Sequence, residues 1–123
     1  MKAVIVTLLI LGFTSFGLKS QSVYFHSESD VISYLEGRTF FNLEKGLEIQ
    51  YKYLSSYGTY GIQIKNKYGD TFNYINVNID VYGRSADLFG MNPNDGGSFG
   101  FRLYDGELIV GKGEPGEVTF YLK

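Results

Sequence analysis

Residues 47–66 read LEIQYKYLSSYGTYGIQIKN, and this stretch decides the fold because apolar and polar side chains alternate along both of its halves. The apolar or aromatic residues occupy odd positions over 47–53 and even positions over 60–64. A period of two indicates a β-strand that is buried on one face. The two halves are separated by residues 55–58, whose Ser and Gly are typical of a turn, so we expect an antiparallel hairpin.

The same alternation continues along the rest of the chain. It is clearest over residues 75–81, where Ile and Val alternate with Asn and Asp. A change of phase at Tyr74 predicts a β-bulge near that residue. Asp105 and Gly106 are typical of a two-residue type I′ hairpin turn, because both residues tolerate positive φ angles. The alternating segments and the turns between them predict about eight strands, over residues 38–43, 47–54, 59–66, 71–82, 85–90, 98–104, 107–111 and 117–122.

One short helix is expected before the first strand. Ser27 supplies a hydroxyl for the N-cap, with an acidic residue three positions later, which is close to a capping box. An apolar stripe runs from Val31 to Leu35, and Gly37 is a typical C-terminal stop. The predicted helix over 28–36 is too short to persist without packing on the sheet.

These elements predict an all-β fold, a single small antiparallel domain of about eight strands with one short N-terminal helix. The links are short, so neighbouring strands pair antiparallel, and no second helix is long enough for a βαβ crossover. Such an up-and-down meander either closes as a barrel or splits into a sandwich. We favour the barrel because the connections have the length of hairpin turns. The 123 residues fit one domain.

The N terminus has the features of a secretory signal peptide. Lys2 precedes an apolar run over residues 3–11, and small residues follow the run. This run is about half of the roughly 20 residues that a membrane-spanning helix needs. Cleavage is expected after Gly17, and cleavage after Ser20 is the alternative.

The domain organisation follows from that segment. Residues 1–20 are the predicted signal peptide, and residues 21–123 form the single β-rich domain. No Cys follows the apolar run, which excludes a diacylglyceryl lipoprotein anchor. We therefore expect an exported protein, periplasmic, on the cell surface or extracellular, with no stable membrane span after processing.

The composition excludes several kinds of chemistry. The chain has no Cys, so a disulfide framework, a thiolate zinc site and a cysteine nucleophile are absent. Its one histidine, His26, has neither a second His nor a motif around it. The loop over residues 92–97 collects oxygen ligands but holds one carboxylate, too few for a good calcium site. The basic residues are scattered singly, and the net charge is −2, which disfavours nucleic acid as a partner.

An enzyme is not expected either. The letters G-x-S-x-G occur over residues 96–100, but Ser98 lies beside a turn at the start of a predicted strand and not on the strand-to-helix turn of a nucleophile elbow. Paired carboxylates such as Glu48 and Asp80 fall on the polar, outward faces of their strands, where a solvated carboxyl does not gain the raised pKa of a general acid. We predict no catalytic residue, no metal site and no cofactor.

Tyrosine is the most distinctive residue type, with 11 copies. Tyr51, Tyr53 and Tyr60 share the phase of the apolar residues, which predicts that they lie in the core. Tyr57 and Tyr68 fall in turns, and exposed tyrosines can stack on sugars or anchor a protein interface. Successive turns of a meander lie at opposite ends, so Tyr57 and Tyr68 cannot form one patch. We favour Tyr57, with the nearby Tyr60, as the ligand-binding residues.

The function that remains is an exported, non-catalytic binding or interaction module whose ligand is a protein or a glycan. The alternative is a structural component of a cell-envelope or surface assembly, in which an edge strand pairs with a partner. A binder should have a formed cavity or an aromatic patch, whereas an assembly component should expose a long, flat edge.

Overall fold

A computed structural model describes residues 23–111, 113 and 115–122. The predicted signal peptide over 1–20, with both cleavage positions, lies outside the described residues. No helix in the described part of the chain has the length and apolar character that crossing a membrane requires.

The described residues form one helix followed by a closed barrel of antiparallel strands. Each strand pairs with the next along the chain, and the last strand pairs with the first, so the predicted all-β meander and its closure as a barrel are confirmed. The helix, α1, spans Glu28–Leu35. The eight strands of the described residues are β1 (Phe40–Asn42), β2 (Leu47–Leu54), β3 (Thr59–Asn66), β4 (Thr71–Val81), β5 (Ser85–Met91), β6 (Ser98–Tyr104), β7 (Glu107–Val110) and β8 (Val118–Leu122).

Two local features of the strands follow the sequence closely. The β6–β7 turn has φ angles of 49° at Asp105 and 78° at Gly106, the positive values that a type I′ turn requires. In the β4–β5 ladder, Ile75 lies opposite Met91 but Asn78 lies opposite Phe89, so β4 carries one extra residue. This irregularity is the β-bulge that the phase change predicted, placed just after Tyr74.

Helix α1 begins with the expected cap. The Ser27 hydroxyl accepts a hydrogen bond from the Asp30 backbone N–H at 3.4 Å. In return, the Asp30 carboxylate accepts one from the backbone N–H of His26 at 2.7 Å. Both bonds satisfy N–H groups that have no partner within the chain's first helical turn.

The helix lies against one end of the barrel and contributes to its core. Val31 and Leu35 of α1 are buried, and the preceding Phe25 donates its backbone N–H to the carbonyl of Gly83 at 2.6 Å. Gly83 belongs to the β4–β5 turn, so α1 sits at the end where that turn lies. The short helix thus gains the tertiary packing that its length requires.

The barrel interior is packed with the chain's own side chains. Most of these side chains come from the strand positions that alternation predicts to face inward, and the apolar face of α1 contributes the others. The buried cluster consists of Phe25, Val31, Leu35, Phe40, Ile49, Ile62, Ile64, Ile79, Ala86, Leu88, Phe101, Leu103, Leu108 and Phe120. A small barrel filled in this way leaves its outer surface and its loops for recognition.

One part of the core prediction is wrong. Tyr53 and Tyr60 have the inward phase, yet 51% of Tyr53 and 45% of Tyr60 are exposed. The ladders explain the difference: β1 pairs with β2 only over residues 47–49, and β4 pairs with β3 only over residues 62–65. Residues 52–61, which we call the β2–β3 ribbon, therefore extend beyond their pairing with both neighbouring strands. Side chains with the inward phase in this ribbon lie past the end of the barrel and so are not buried in its core.

Candidate functional site

The β2–β3 ribbon ends in a tight turn that carries Tyr57. The carbonyl of Leu54 accepts hydrogen bonds from the backbone N–H groups of Tyr57 and Gly58, both at 2.9 Å. Gly58 has a φ of 66°, which a residue with a side chain rarely adopts. The turn therefore fixes the position of Tyr57 at the tip of a projecting hairpin.

A pocket of about 150 Å³ lies beside this turn. It is lined by residues 52–57 of the ribbon together with Gln63 of β3 and Asn73 of β4. Lys52, Gln63 and Asn73 occupy outward positions of their strands, since they alternate with the inward residues of the ladders. The pocket is thus on the outer surface of the barrel.

The apolar part of this pocket is Leu54, which is 5% exposed although it lies at an outward position. Gly61 on the neighbouring strand allows this burial. A Cβ atom at Gly61 would lie 2.8 Å from Cδ1 of Leu54, closer than carbon atoms approach without displacement. Leu54 therefore occupies the space that a side chain at position 61 would fill.

The polar part is a pair of amides. Nε2 of Gln63 donates a hydrogen bond to Oδ1 of Asn73 at 3.0 Å. Among the described residues neither side chain makes a second hydrogen bond, so Oε1 of Gln63 and Nδ2 of Asn73 are available to a ligand. These two lining residues thus offer one acceptor and one donor.

This pair continues into a row of polar side chains across the sheet. Gln50 lies opposite Gln63 in the β2–β3 ladder, and Nε2 of Gln50 donates to Oγ1 of Thr39 at 3.0 Å. All four side chains are half-buried, so they lie along the outer surface. We call Thr39, Gln50, Gln63 and Asn73 the amide row.

The sequence analysis did not identify the amide row. Alternation placed its members outward, and outward polar residues were interpreted as solvated. A signal was present, because the turn over 55–58 fixes the hairpin register and places Gln50 opposite Gln63. The next turn, over 67–70, places Gln63 opposite Asn73 in the same way.

The two predicted ligand-binding tyrosines have different surroundings. Tyr57 lines the pocket, whereas Tyr60 does not. The Tyr60 ring packs edge-on against Tyr53, with centroids 5.4 Å apart, and stacks on Tyr51 at 5.8 Å. Tyr53 also lines the pocket as a residue, but its side chain shares the inward phase of Tyr60, opposite to that of Lys52 and Leu54. Burial, and then the nearby Glu36 carboxylate and Tyr60, raises the pKa of Tyr51 above its ordinary value.

The charge of the pocket is simple. Lys52 is the one charged side chain among the lining residues, and the lining includes no Asp, Glu or His. The other lining residues with polar side chains are Gln63, Asn73, Ser55, Ser56, Tyr53 and Tyr57. The pocket therefore offers neutral hydrogen-bonding groups with a single positive charge at its edge.

Other candidate positions lack such an arrangement. Tyr68 is 79% exposed, in the β3–β4 turn at the end of the barrel opposite to Tyr57. In the loop over 92–97, the side-chain oxygens of Asn92 and Asp95 accept hydrogen bonds from backbone N–H groups of the same loop. No group of three His, Cys, Asp or Glu residues within the described part of the chain is placed to hold a metal ion.

A second, wider surface pocket of about 420 Å³ lies where β1 and β8 meet. Its described lining is Gly37, Arg38, Thr39 and Leu122. The Arg38 guanidinium is already engaged, because its Nε donates to the carbonyl of Tyr34 and its Cζ lies 4.4 Å from the centroid of the Tyr34 ring. This pocket therefore presents fewer available polar groups than the one beside Tyr57.

Comparison with known proteins found no matching protein family, no similar curated protein and no similar solved structure.

Proposed function

We propose that the protein is an exported, non-catalytic binding module that holds its ligand in the pocket beside Tyr57. The observation that carries this proposal is the placement of that pocket on a hairpin that projects beyond its neighbouring strands. The barrel interior is filled by its own core, so the outer surface is where a ligand has room. Binding residues often occupy loops held by a rigid scaffold.

The lining of the pocket supports binding rather than turnover. Ser55 and Ser56 are nucleophiles by type, but a serine hydroxyl needs an adjacent base. The lining contains no His or carboxylate, and among the described residues neither serine is hydrogen-bonded to the Lys52 amine. Tyr57, by contrast, offers a large amphipathic ring with few rotamers to immobilise, and such residues contribute much to binding at little entropic cost.

One observation favours the alternative, a structural component of a cell-envelope or surface assembly. Residues 52–61 extend past the ladders with β1 and β4, so the ribbon presents strand edges to which an extended segment of a partner could add. This alternative predicts self-association or addition of a strand, with little dependence on the Tyr57 ring.

The test compares two tyrosine variants of the purified protein. Wild type, Tyr57→Ala and Tyr68→Ala are immobilised and exposed to envelope and medium fractions of the producing organism. We expect Tyr57→Ala to weaken binding of the captured partner by about 1–2 kcal/mol or more, the usual scale for an aromatic contact at the centre of an interface. The melting temperature should stay nearly unchanged, and Tyr68→Ala should bind like wild type because Tyr68 lies at the other end.

Two results would contradict the proposal. Normal binding by Tyr57→Ala, together with loss of binding by Asp95→Ala, would move the site to the loop over 92–97. Concentration-dependent self-association of wild type in analytical ultracentrifugation, unchanged in Tyr57→Ala, would favour the assembly component.

A further inference from the structure

We infer that the ligand of this pocket is an uncharged oligosaccharide, which lies across the outer face of β2, β3 and β4 with one sugar unit beside Tyr57. This inference rests on the proposed function, since it names the ligand class of the same site. Three features support it: the size of the pocket, the amide pair formed by Gln63 and Asn73, and the amide row.

The size of the pocket suits one unit of a longer molecule. Its volume of about 150 Å³ is below the roughly 300–1,000 Å³ typical of sites that enclose a whole small molecule. A ligand can therefore place one ring or one side chain here, and the rest must follow the surface. Tyr57 and Leu54 are among the lining residues, and an aromatic ring at the edge of the pocket suits the C–H face of a sugar ring.

The amide pair suits hydroxyl groups. Oε1 of Gln63 can accept and Nδ2 of Asn73 can donate, and the bond between the two side chains restricts the positions of both amides. A hydroxyl both donates and accepts, so two neighbouring hydroxyls of a sugar satisfy both atoms. A carboxylate or a phosphate would only accept hydrogen bonds and would leave Oε1 of Gln63 unsatisfied.

The amide row offers hydrogen-bonding groups to the further sugar units of the oligosaccharide, outside the pocket. It runs from Asn73 through Gln63 and Gln50 to Thr39, perpendicular to the strands, over three interstrand spacings or about 14 Å. Its side chains form two hydrogen-bonded pairs, Gln50 with Thr39 and Gln63 with Asn73, so less rotamer freedom is lost when a ligand binds. An extended chain of hydroxyl-bearing rings fits such a surface.

A protein ligand fits these groups less well. Stable protein interfaces bury about 800 Å² on each partner around an apolar core of anchor residues. On the outer face of β2, β3 and β4, the surface beyond this pocket is instead a row of half-buried amides and a hydroxyl, and the exposed rings of Tyr53 and Tyr60 have the opposite, inward phase. A protein ligand is therefore one of the outcomes of the test.

The test is titration of the 15N-labelled protein with four uncharged hexasaccharides, built from β-1,4-glucose, β-1,4-N-acetylglucosamine, α-1,4-glucose and β-1,4-mannose. Each is added to roughly 10 mM, well above a weak millimolar Kd. We expect at least one to shift the side-chain amide resonances of Gln63 and Asn73 and the backbone resonances of residues 54–57. Resonances of the loop over 92–97, at the other end of the barrel, should stay unchanged.

Two asparagines of β4 provide matched variants. Asn73→Ala removes half of the amide pair and should weaken hexasaccharide binding at least about fivefold, a change of the size expected for one lost hydrogen bond. Asn78 is exposed on the same strand outside the site, so Asn78→Ala should bind like wild type. Equal loss in both variants would contradict the role of the amide pair.

The outcomes separate this inference from the proposed function. If no hexasaccharide shifts the pocket resonances but a protein captured from the envelope or medium does, the glycan inference is overturned and the binding module stands. If no hexasaccharide shifts them and nothing captured depends on Tyr57, both are overturned.

Discussion

The backbone carbonyl of Tyr74 lies against the face of Gly61 that carries no side chain. A Cβ atom placed at position 61 would overlap this carbonyl oxygen and would also lie 2.8 Å from Cδ1 of Leu54. Strand β4 therefore crosses close to β3 at the point where the barrel ends and the β2–β3 ribbon begins. This contact holds Asn73, the residue before Tyr74, beside the pocket.

Gly61→Ala should destabilise the fold and disturb the pocket. The new methyl group meets backbone on one side, which cannot rotate away, and the buried Leu54 on the other. Overpacking of this kind costs about 1–3 kcal/mol. Urea denaturation of the variant measures the loss in the free energy of unfolding.

Gly116→Ala is the control for this variant. No atom of the residues that the structure describes lies within 4 Å of a Cβ atom at Gly116, and that glycine is exposed. We expect a change below about 0.5 kcal/mol there, as for an ordinary surface substitution. Similar losses in both variants would show that the close approach of Tyr74 to Gly61 is not the cause.

Truncating Val77 and Ile79 of β4 to alanine should destabilise the fold by different amounts, because the two side chains are buried to different extents. Alternation over 75–81 predicts equal importance for Val77 and Ile79, but Ile79 is 8% exposed whereas Val77 is only half-buried. Ile79→Ala should cost about 2–4 kcal/mol, the range for a buried aliphatic side chain. Val77→Ala should cost about 1 kcal/mol, since it follows the bulge and leaves a smaller cavity.

Denaturant unfolding of both β4 variants checks this difference. A loss under about 0.5 kcal/mol at both positions would mean that β4 is not central to the core. A larger loss for Val77 than for Ile79 would contradict the burial described for the strand.

The free energy of unfolding should fall at alkaline pH, because Tyr34 and Tyr51 lose their protons less readily in the folded chain than in the unfolded chain. Burial raises the pKa of Tyr34, although the charge of Arg38 opposes this, and burial with Glu36 and Tyr60 raises the pKa of Tyr51. Above pH 10, the model-compound value, the unfolded chain loses these protons before the folded chain does. The stabilisation is therefore complete below pH 10 and is lost as the pH rises through the folded-state values.

The measurement is the free energy of unfolding against pH between about 8 and 12. Tyr34→Phe/Tyr51→Phe should show a shallower alkaline decline than wild type, because phenylalanine has no proton to lose. Tyr68→Phe, at an exposed tyrosine, is the control and should follow wild type. Equal slopes for all three proteins would contradict the assignment to Tyr34 and Tyr51.

If the protein is exported, its signal peptide should be removed, so the mature chain in the native host should lack the N-terminal residues. The basic start, the apolar run over 3–11 and the small residues after it predict cleavage by a signal peptidase. N-terminal sequencing of the native protein should therefore begin at Leu18, or at Gln21 if cleavage follows Ser20. Mature protein that still begins at Met1 would contradict this prediction.

Much of the fold was predictable because it depends on local patterns. Helix α1 and the strands fall within a residue or two of the predicted ranges, since the period of the apolar residues and the turn residues fix both type and register. The β-bulge was predictable for the same reason, because one extra residue changes the phase on its own strand. Tyr57 was identifiable as a turn residue.

The sequence by itself determined the strands, their order and which face of each is apolar. Only the tertiary structure decided how far each ladder runs, because β1 and β4 stop pairing before the β2–β3 hairpin ends. That difference exposes Tyr53 and Tyr60 in spite of their inward phase. It also leaves Tyr57 at the tip of a projecting hairpin, whereas the pairing of Gln63 with Asn73 follows locally from the β3–β4 turn.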